Sequence, residues 1–285
     1  MPINKPLFIF FLVPLFVFSF SCKRKQTEIT ITPDALKNHL QRASIFGNVN
    51  SIETDNYYYS RNDSSFVFVY NSVQYYNSDG YLTEVLVLDK NSDTISLLLI
   101  NHLPNAKENY RSEFNYKDNQ TLVDTILYDK NGFKCEERHL VNDSLHYRIE
   151  YKTDGIGSII EMKRFYPDYH LTNKIYYNNF GLVERIDEFD PQKKLFKYFI
   201  IEYDDSGNEV NRRAFKSNNE MIEFTYSQYA PNGLLLKTIY EDRINNSRED
   251  KIYANHDKKG NWLEEIMMQG KDTMRKKVRK IDYFE

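Results

Sequence analysis

The sequence predicts an all-β chain. It reads as a long antiparallel meander of about 16–18 strands that forms a curved repeat sheet, with a short helix ahead of it. Three observations predict this. A five-residue phrase, Tyr followed by Asp or Asn, two further residues and Gly, recurs along the chain at a near-constant spacing. The residues before each copy alternate between apolar and polar. The aromatic content is carried by 23 Tyr and 19 Phe, with one Trp.

The phrase occurs at Tyr76–Gly80, Tyr128–Gly132, Tyr151–Gly155, Tyr177–Gly181, Tyr203–Gly207 and Tyr229–Gly233, and at His256–Gly260 with His in the Tyr place. The first gap is about twice the later ones, which places a degenerate copy near Pro104-Asn105-Ala106. Asp or Asn at the first place of a type I turn accepts bonds from the backbone beyond it, and Gly three residues later takes the left-handed conformation. The glycines Gly80, Gly132, Gly155, Gly181, Gly207, Gly233 and Gly260 are therefore read as structural. Lys152 and Ala230 are the two exceptions at the Asp/Asn place.

Strands flank these turns. Tyr147, Ile149 and Tyr151 share one side and His146, Arg148 and Glu150 the other, and Ile222, Phe224 and Tyr226 alternate in the same way. Looser polar turns such as Asn142-Asp143-Ser144 and Ser217-Asn218-Asn219 lie between the Gly turns, so each unit is two strands and two turns. Strands joined by short turns are antiparallel neighbours. The Tyr of each phrase (Tyr128, Tyr151, Tyr177, Tyr203, Tyr229) is assigned to structure, because Tyr can bury its ring and leave its hydroxyl wet.

The N-terminus reads as an address. Leu7–Ser21 is an uncharged, mostly apolar run after Lys5, of signal-peptide length and too short to span a bilayer comfortably. It ends in Ser21-Cys22 and is followed by Lys23-Arg24-Lys25. That ending resembles the bacterial lipobox. The resemblance implies a signal peptide over 1–21, lipid attachment at Cys22 and a tether over 22–32. An ordinary signal peptide with a stray Cys, or an uncleaved anchor, are the alternatives. Thr32-Pro33-Asp34 has the chemistry of a helix start, which predicts a short helix over 33–45. The repeat domain then covers 46–285. With Cys22 lipidated, Cys135 stands alone, and it reads as a small apolar residue on a strand.

The turns at this period resemble YD repeats of the RHS class. Lys259-Gly260-Asn261-Trp262 and the residues to Tyr283 are similar to the closing unit of short RHS-like envelope lipoproteins, and Phe46–Ile52 to their opening strand. The resemblance implies a lipid-anchored envelope lipoprotein of the Gram-negative type, and the basic run Lys23-Arg24-Lys25, in the place where surface-exposed lipoproteins carry an acidic export tag, leans towards a periplasm-facing anchor. It speaks to architecture and says little of function.

Catalytic chemistry is hard to find. The six His show no metal-ligand spacing; His139 and His146 face each other loosely across one turn. Asp204–Glu209 is acidic enough for calcium but coincides with a repeat turn. Glu136-Glu137 and Glu264-Glu265 are adjacent on strands and point to opposite faces. Arg275–Lys280 is strongly basic and reads as the exposed edge of the last strand. A net charge of −3 gives no case for nucleic acid. The expectation is a non-enzymatic scaffold or binding surface with no cofactor and no metal. The membrane is its partner through the lipid, and a protein, peptide or glycan its ligand. Tyr57, Tyr58, Tyr59 and Trp262 are the candidate binding aromatics. The alternatives are an accessory or immunity component of a contact-dependent toxin system and an envelope hydrolase.

Overall fold

The structure, a computed structural model, describes residues 45–101, 108–116 and 118–284. The expected helix over 33–45, the lipid site at Cys22 and the degenerate turn at 104–106 lie outside the described residues, apart from Ile45 at the helix's end. No helix occurs among the described residues.

Eighteen strands follow one another: β1 Val49–Ser60, β2 Ser65–Tyr76, β3 Leu82–Leu88, β4 Thr94–Asn101, β5 Glu108–Asn115, β6 Gln120–Tyr128, β7 Lys134–Val141, β8 Ser144–Thr153 and β9 Ile159–Phe165. Then come β10 His170–Tyr177, β11 Val183–Phe189, β12 Leu195–Tyr203, β13 Glu209–Lys216, β14 Met221–Tyr229, β15 Leu235–Asp242, β16 Ser247–His256, β17 Trp262–Gln269 and β18 Asp272–Tyr283. Each pairs antiparallel with its predecessor and its successor.

The expectation of an open curved sheet is corrected at its ends. β1 pairs with β18 from Val49 opposite Tyr283 to Tyr58 opposite Arg275, so the sheet is a closed barrel. The basic run 275–280 is therefore no exposed edge: Lys276 and Lys277 pair across to Glu264 and Glu265 on β17 at 2.6 and 3.0 Å. Closure satisfies the backbone groups that an open edge would leave bare.

The seam is clasped by one side chain. Asn261, 4% exposed, gives its carbonyl to the Phe46 N–H at 2.8 Å and its amide to the Phe46 carbonyl at 2.8 Å. The same amide reaches the Tyr283 hydroxyl at 2.9 Å, and that hydroxyl donates to Asp257. Ile52 and Ile281 stand opposite each other on the seam, and Val49, Ile52 and Tyr76 form a buried cluster with Leu82 and Tyr283 against it.

The Gly turns all lie at one rim. Asp204 shows their common geometry. Its Oδ1 accepts from the N–H groups of Ser206 and Asn208 at 2.9 and 2.8 Å, and the Gly207 N–H bonds its carbonyl at 2.9 Å. This is a type I turn closed by a left-handed residue, with Gly207 at φ 81°. Asn77, Asp129, Asn178 and Asp257 repeat the pair of side-chain bonds. In the β8–β9 copy the turn begins at Asp154 and the left-handed residue is Gly157, not Gly155. That shift explains why Lys152 breaks the sequence pattern. Two turns of the opposite rim, at Asp89 and Asp190, use the same geometry with Ser92 and Lys193 in the left-handed place.

The Tyr of the phrase also has a fixed task. Tyr177, Tyr203 and Tyr229 donate their hydroxyls to the carbonyls of Ile159, Val183 and Glu209, the first residues of the strands before their own, at 2.8, 2.8 and 3.3 Å. His256 reaches the Leu235 carbonyl in the same way at 3.2 Å. His can stand in the Tyr place because its ring nitrogen makes the same latch.

Candidate functional site in the barrel wall and mouth

Alternation along the strands gives the barrel a concave and a convex wall. The concave side chains are the more buried, as expected where a closed sheet crowds one face. About eight strands already make a barrel that side chains can fill; eighteen leave the middle open. The concave wall is accordingly layered. At the Gly-turn rim it is apolar: Ile175, Val183, Ile186 and Ile201 are buried together against Phe199 and Tyr203. Farther along the strands it is charged.

The charges there are paired. Glu137 meets Lys134 at 2.6 Å and the Tyr151 hydroxyl at 2.8 Å. Burial alone would lift its carboxyl, but the ammonium and these two hydrogen bonds outweigh it and hold the group below the usual carboxylate range. Lys197 on β12 bonds Glu223 on β14 at 2.8 Å across β13, where the small residue Ala214 stands opposite Glu223. Glu188, opposite Lys197 on β11, accepts from Asn173 at 3.4 Å. Its carboxyl is raised, because burial exceeds what Lys197 and Asn173 return. Arg212 holds Glu209 through two bonds, at 2.8 and 2.9 Å. Among the described residues no group of His, Cys, Asp and Glu is arranged to hold a metal ion.

The far mouth carries aromatic rings that the sequence did not bring together. His139 bonds Asp124 through Nδ1 and stacks on Tyr147 at 4.7 Å; His146 stands edge-on to both. Tyr147 meets Tyr166 at 5.8 Å, and Tyr166 stacks on Tyr169 at 4.6 Å. Tyr169 is 45% exposed. The Arg164 guanidinium lies over Tyr147 at 5.7 Å. The sequence signal for this run is weak: only the His139–His146 facing is legible, because Tyr166 and Tyr169 come from the β9–β10 turn, one hairpin away.

The sequence-predicted aromatics fall in two places. β1, β2 and β18 are the longest strands, twelve residues each, and project past the far rim. There Tyr57 stands edge-on to Phe68 and Tyr59 to Phe66, while Tyr58 points to the opposite face and is 47% exposed. Tyr59 and Phe66 line a cleft of about 520 Å³ with Arg61 and Asp272, which form an ion pair across it. Trp262 lies elsewhere, near the Gly-turn rim, packed on Tyr253 at 5.4 Å with the Arg279 guanidinium 3.4 Å from its ring. Burial lowers Arg279 to about 10 despite the charge of Glu265. Cys135 is half-buried; its thiol donates to the Leu127 carbonyl at 3.5 Å, and burial pushes its pKa up. Both Oδ atoms of Asp204 are engaged within the turn, the second by the Asn208 amide at 2.9 Å, as turn chemistry requires.

No family model matches the chain, and no curated protein matches it. Among solved structures the chain is similar to a porin-like protein from Bacteroides uniformis, at 12% identity and a TM-score of 0.45 over 82% of this chain and 96% of that one. A porin-like protein from Bacteroides vulgatus is similar at 10% identity and 0.37, over 81% and 97%. The TcdB2–TccC3–Cdc42 complex is similar at 9% identity and 0.36, over 77% of this chain but 16% of that one. At these values the likeness establishes neither a shared fold nor a function.

Proposed function

We propose that the protein is a non-enzymatic, envelope-anchored lipoprotein whose barrel is a scaffold and whose far mouth is the binding surface. The observation that carries this is the mouth itself. Rings sit there in two groups, at Tyr57–Tyr59 and at Tyr166–Tyr169, with Tyr58 and Tyr169 exposed, whereas Lys134, Glu137, Lys197 and Glu223 of the concave wall are already engaged with one another. Rigid amphipathic rings contribute most at contact surfaces. The anchoring half of the proposal is supported by the apolar run ending at Cys22.

A photo-crosslinking residue placed at 58 or 169 should trap a discrete protein or glycan in cells, and one placed at 252, on the outer wall, should not. Equal labelling at all three positions would end the proposal.

One arrangement favours a hydrolase as a second reading. Glu188 is raised, and Lys197 stands opposite it while bonding Glu223 at 2.8 Å. Hydrolysis of a glycan or peptide by purified protein, lost in Glu188→Gln, would replace the first reading with this one.

A further inference from the structure

The outer wall is sharply divided. Across β8–β11 one convex row runs Lys152, Glu161, Lys174, Asp187, alternating in charge from strand to strand. Across β2–β6 the matching row runs Val73, Leu86, Leu97, Phe114, Thr121, with no charge at all. The next row contains Tyr75, Leu99 and Val123, and its one ionisable side chain is Glu84. Tyr75, Leu99 and Phe114 are 40%, 42% and 39% exposed, and Tyr110, on the same wall, 43%.

The sequence of these strands repeats the message. Val85-Leu-Val-Leu88 and Leu97-Leu-Leu-Ile100 are apolar on both faces. Such continuous runs belong to strands covered on both sides. Here the concave side is covered by the barrel and the convex side by nothing in the chain's described part. The three aromatic residues spread over two strands and the leucines between them form a contiguous apolar patch of the kind that marks an interaction surface.

We propose that this sector of the outer wall rests on a lipid bilayer. Shape and charge select that occupant. The patch is convex. A second rigid barrel would meet it along a line and bury little area, whereas stable protein interfaces need about 1,200–2,000 Å². A bilayer interface deforms around a convex wall. Closure of the sheet leaves no strand edge on which an extended peptide could add. Tyr side chains suit the headgroup region, with the ring in apolar surroundings and the hydroxyl in water. The contact is superficial. The alternating rows of β8–β11 exclude immersion of the whole barrel, because a Lys or Arg facing lipid costs about 2–4 kcal/mol at mid-bilayer.

The inference deepens the envelope reading but does not need the lipid at Cys22. The test uses the full chain in a Cys22→Ser, Cys135→Ser background with a polarity-sensitive dye on Leu99→Cys, and a second protein with the dye on Ile252→Cys. Ile252 is 38% exposed on the charged side of the barrel. The probe is vesicles of phosphatidylethanolamine and phosphatidylglycerol. The dye at 99 should shift to an apolar environment on adding vesicles, and the dye at 252 should stay in water. No shift at 99 would overturn the inference. So would a shift at 99 that appears without vesicles and rises with protein concentration, which would assign the patch to a second copy. Equal shifts at both positions would also overturn it, because they would mean immersion or unfolding. The intact mass of the unsubstituted protein reports acylation of Cys22 separately. Acylated protein with position 99 in water keeps the anchor and loses this inference; unacylated protein with position 99 in lipid does the reverse.

Discussion

At the residue scale, the turn geometry decides which positions tolerate change. Lys193 holds a left-handed backbone at φ 61°, in the place that Gly occupies at the other rim. A side chain there costs about 1 kcal/mol relative to Gly, partly offset by the entropy that Gly loses on folding. Lys193→Gly should therefore raise the urea midpoint slightly, where most exposed Gly substitutions lower it. Gly132 and Gly260 both have positive φ, but a Cβ on Gly132 meets nothing within 4 Å, while one on Gly260 would lie 2.7 Å from Leu234. Gly260→Ala should lower thermal stability by more than Gly132→Ala, and equal losses would mean that backbone strain alone matters. The latch hydroxyl of Tyr203 makes a further test. Tyr203→Phe keeps the ring and leaves the Val183 carbonyl without that donor, for a loss of about 1 kcal/mol.

Two glutamates on the same wall should respond to pH with opposite sign. Glu137 has a depressed pKa. Its contribution is present above the unfolded value of about 4.3 and is lost as pH falls through the lower folded value. Glu188 has a raised pKa, so its contribution is full below about 4.3 and is lost as pH rises through the higher folded value. At neutral pH Glu137→Gln should destabilise, and Glu188→Gln should be neutral or stabilising, since Lys197 keeps Glu223. Denaturant midpoints of the two variants at pH 4 and pH 7 check both signs.

At the element scale, the hairpin is the unit, and the seam is the one contact that hairpins alone do not supply. β1 and β18 are brought together from opposite ends of the described chain, and Asn261 ties the turn before β17 to the residues before β1. Removing its side chain leaves both backbone groups of Phe46 without those bonds, at about 1–3 kcal/mol. Asn261→Ala should speed hydrogen exchange in β1 and β18 while leaving β10–β14 protected. Uniform loss of protection would show that the barrel has no local seam. Trp262 belongs to this argument too. Packed on Tyr253 beside a buried guanidinium, it supports the closing strands more than it offers a surface.

At the scale of the whole molecule, closure places the ends of the barrel side by side: the Phe284 N–H bonds the Asn48 carbonyl at 2.9 Å. A circular permutant that joins residue 284 to residue 45 by a short linker and opens the chain between Lys130 and Asn131 should fold and melt in one transition. An open sheet with distant ends would not survive that joining. The large open middle also explains the composition. With no solid core to fill, the inner wall uses half-buried Tyr and paired charges where a smaller barrel would use Leu and Ile.

What the sequence determined by itself was the local part. Tyr-Asp-x-x-Gly specifies its turn because every group it needs lies within five residues, and alternation specifies the strands because side chains on a strand point to opposite faces by geometry. Even the Lys152 exception carries its answer locally, in Asp154 and Gly157. The tertiary structure alone decided the rest. Whether a meander stays open or closes depends on twist and shear summed over eighteen strands, and no window of sequence contains that sum. The basic run 275–280 looked like an edge because its partner β1 lies more than two hundred residues away. The stacked run from His146 to Tyr169 and the apolar sector of β2–β6 arise from register between strands. Register places residues distant in sequence side by side, and only the paired sheet displays it.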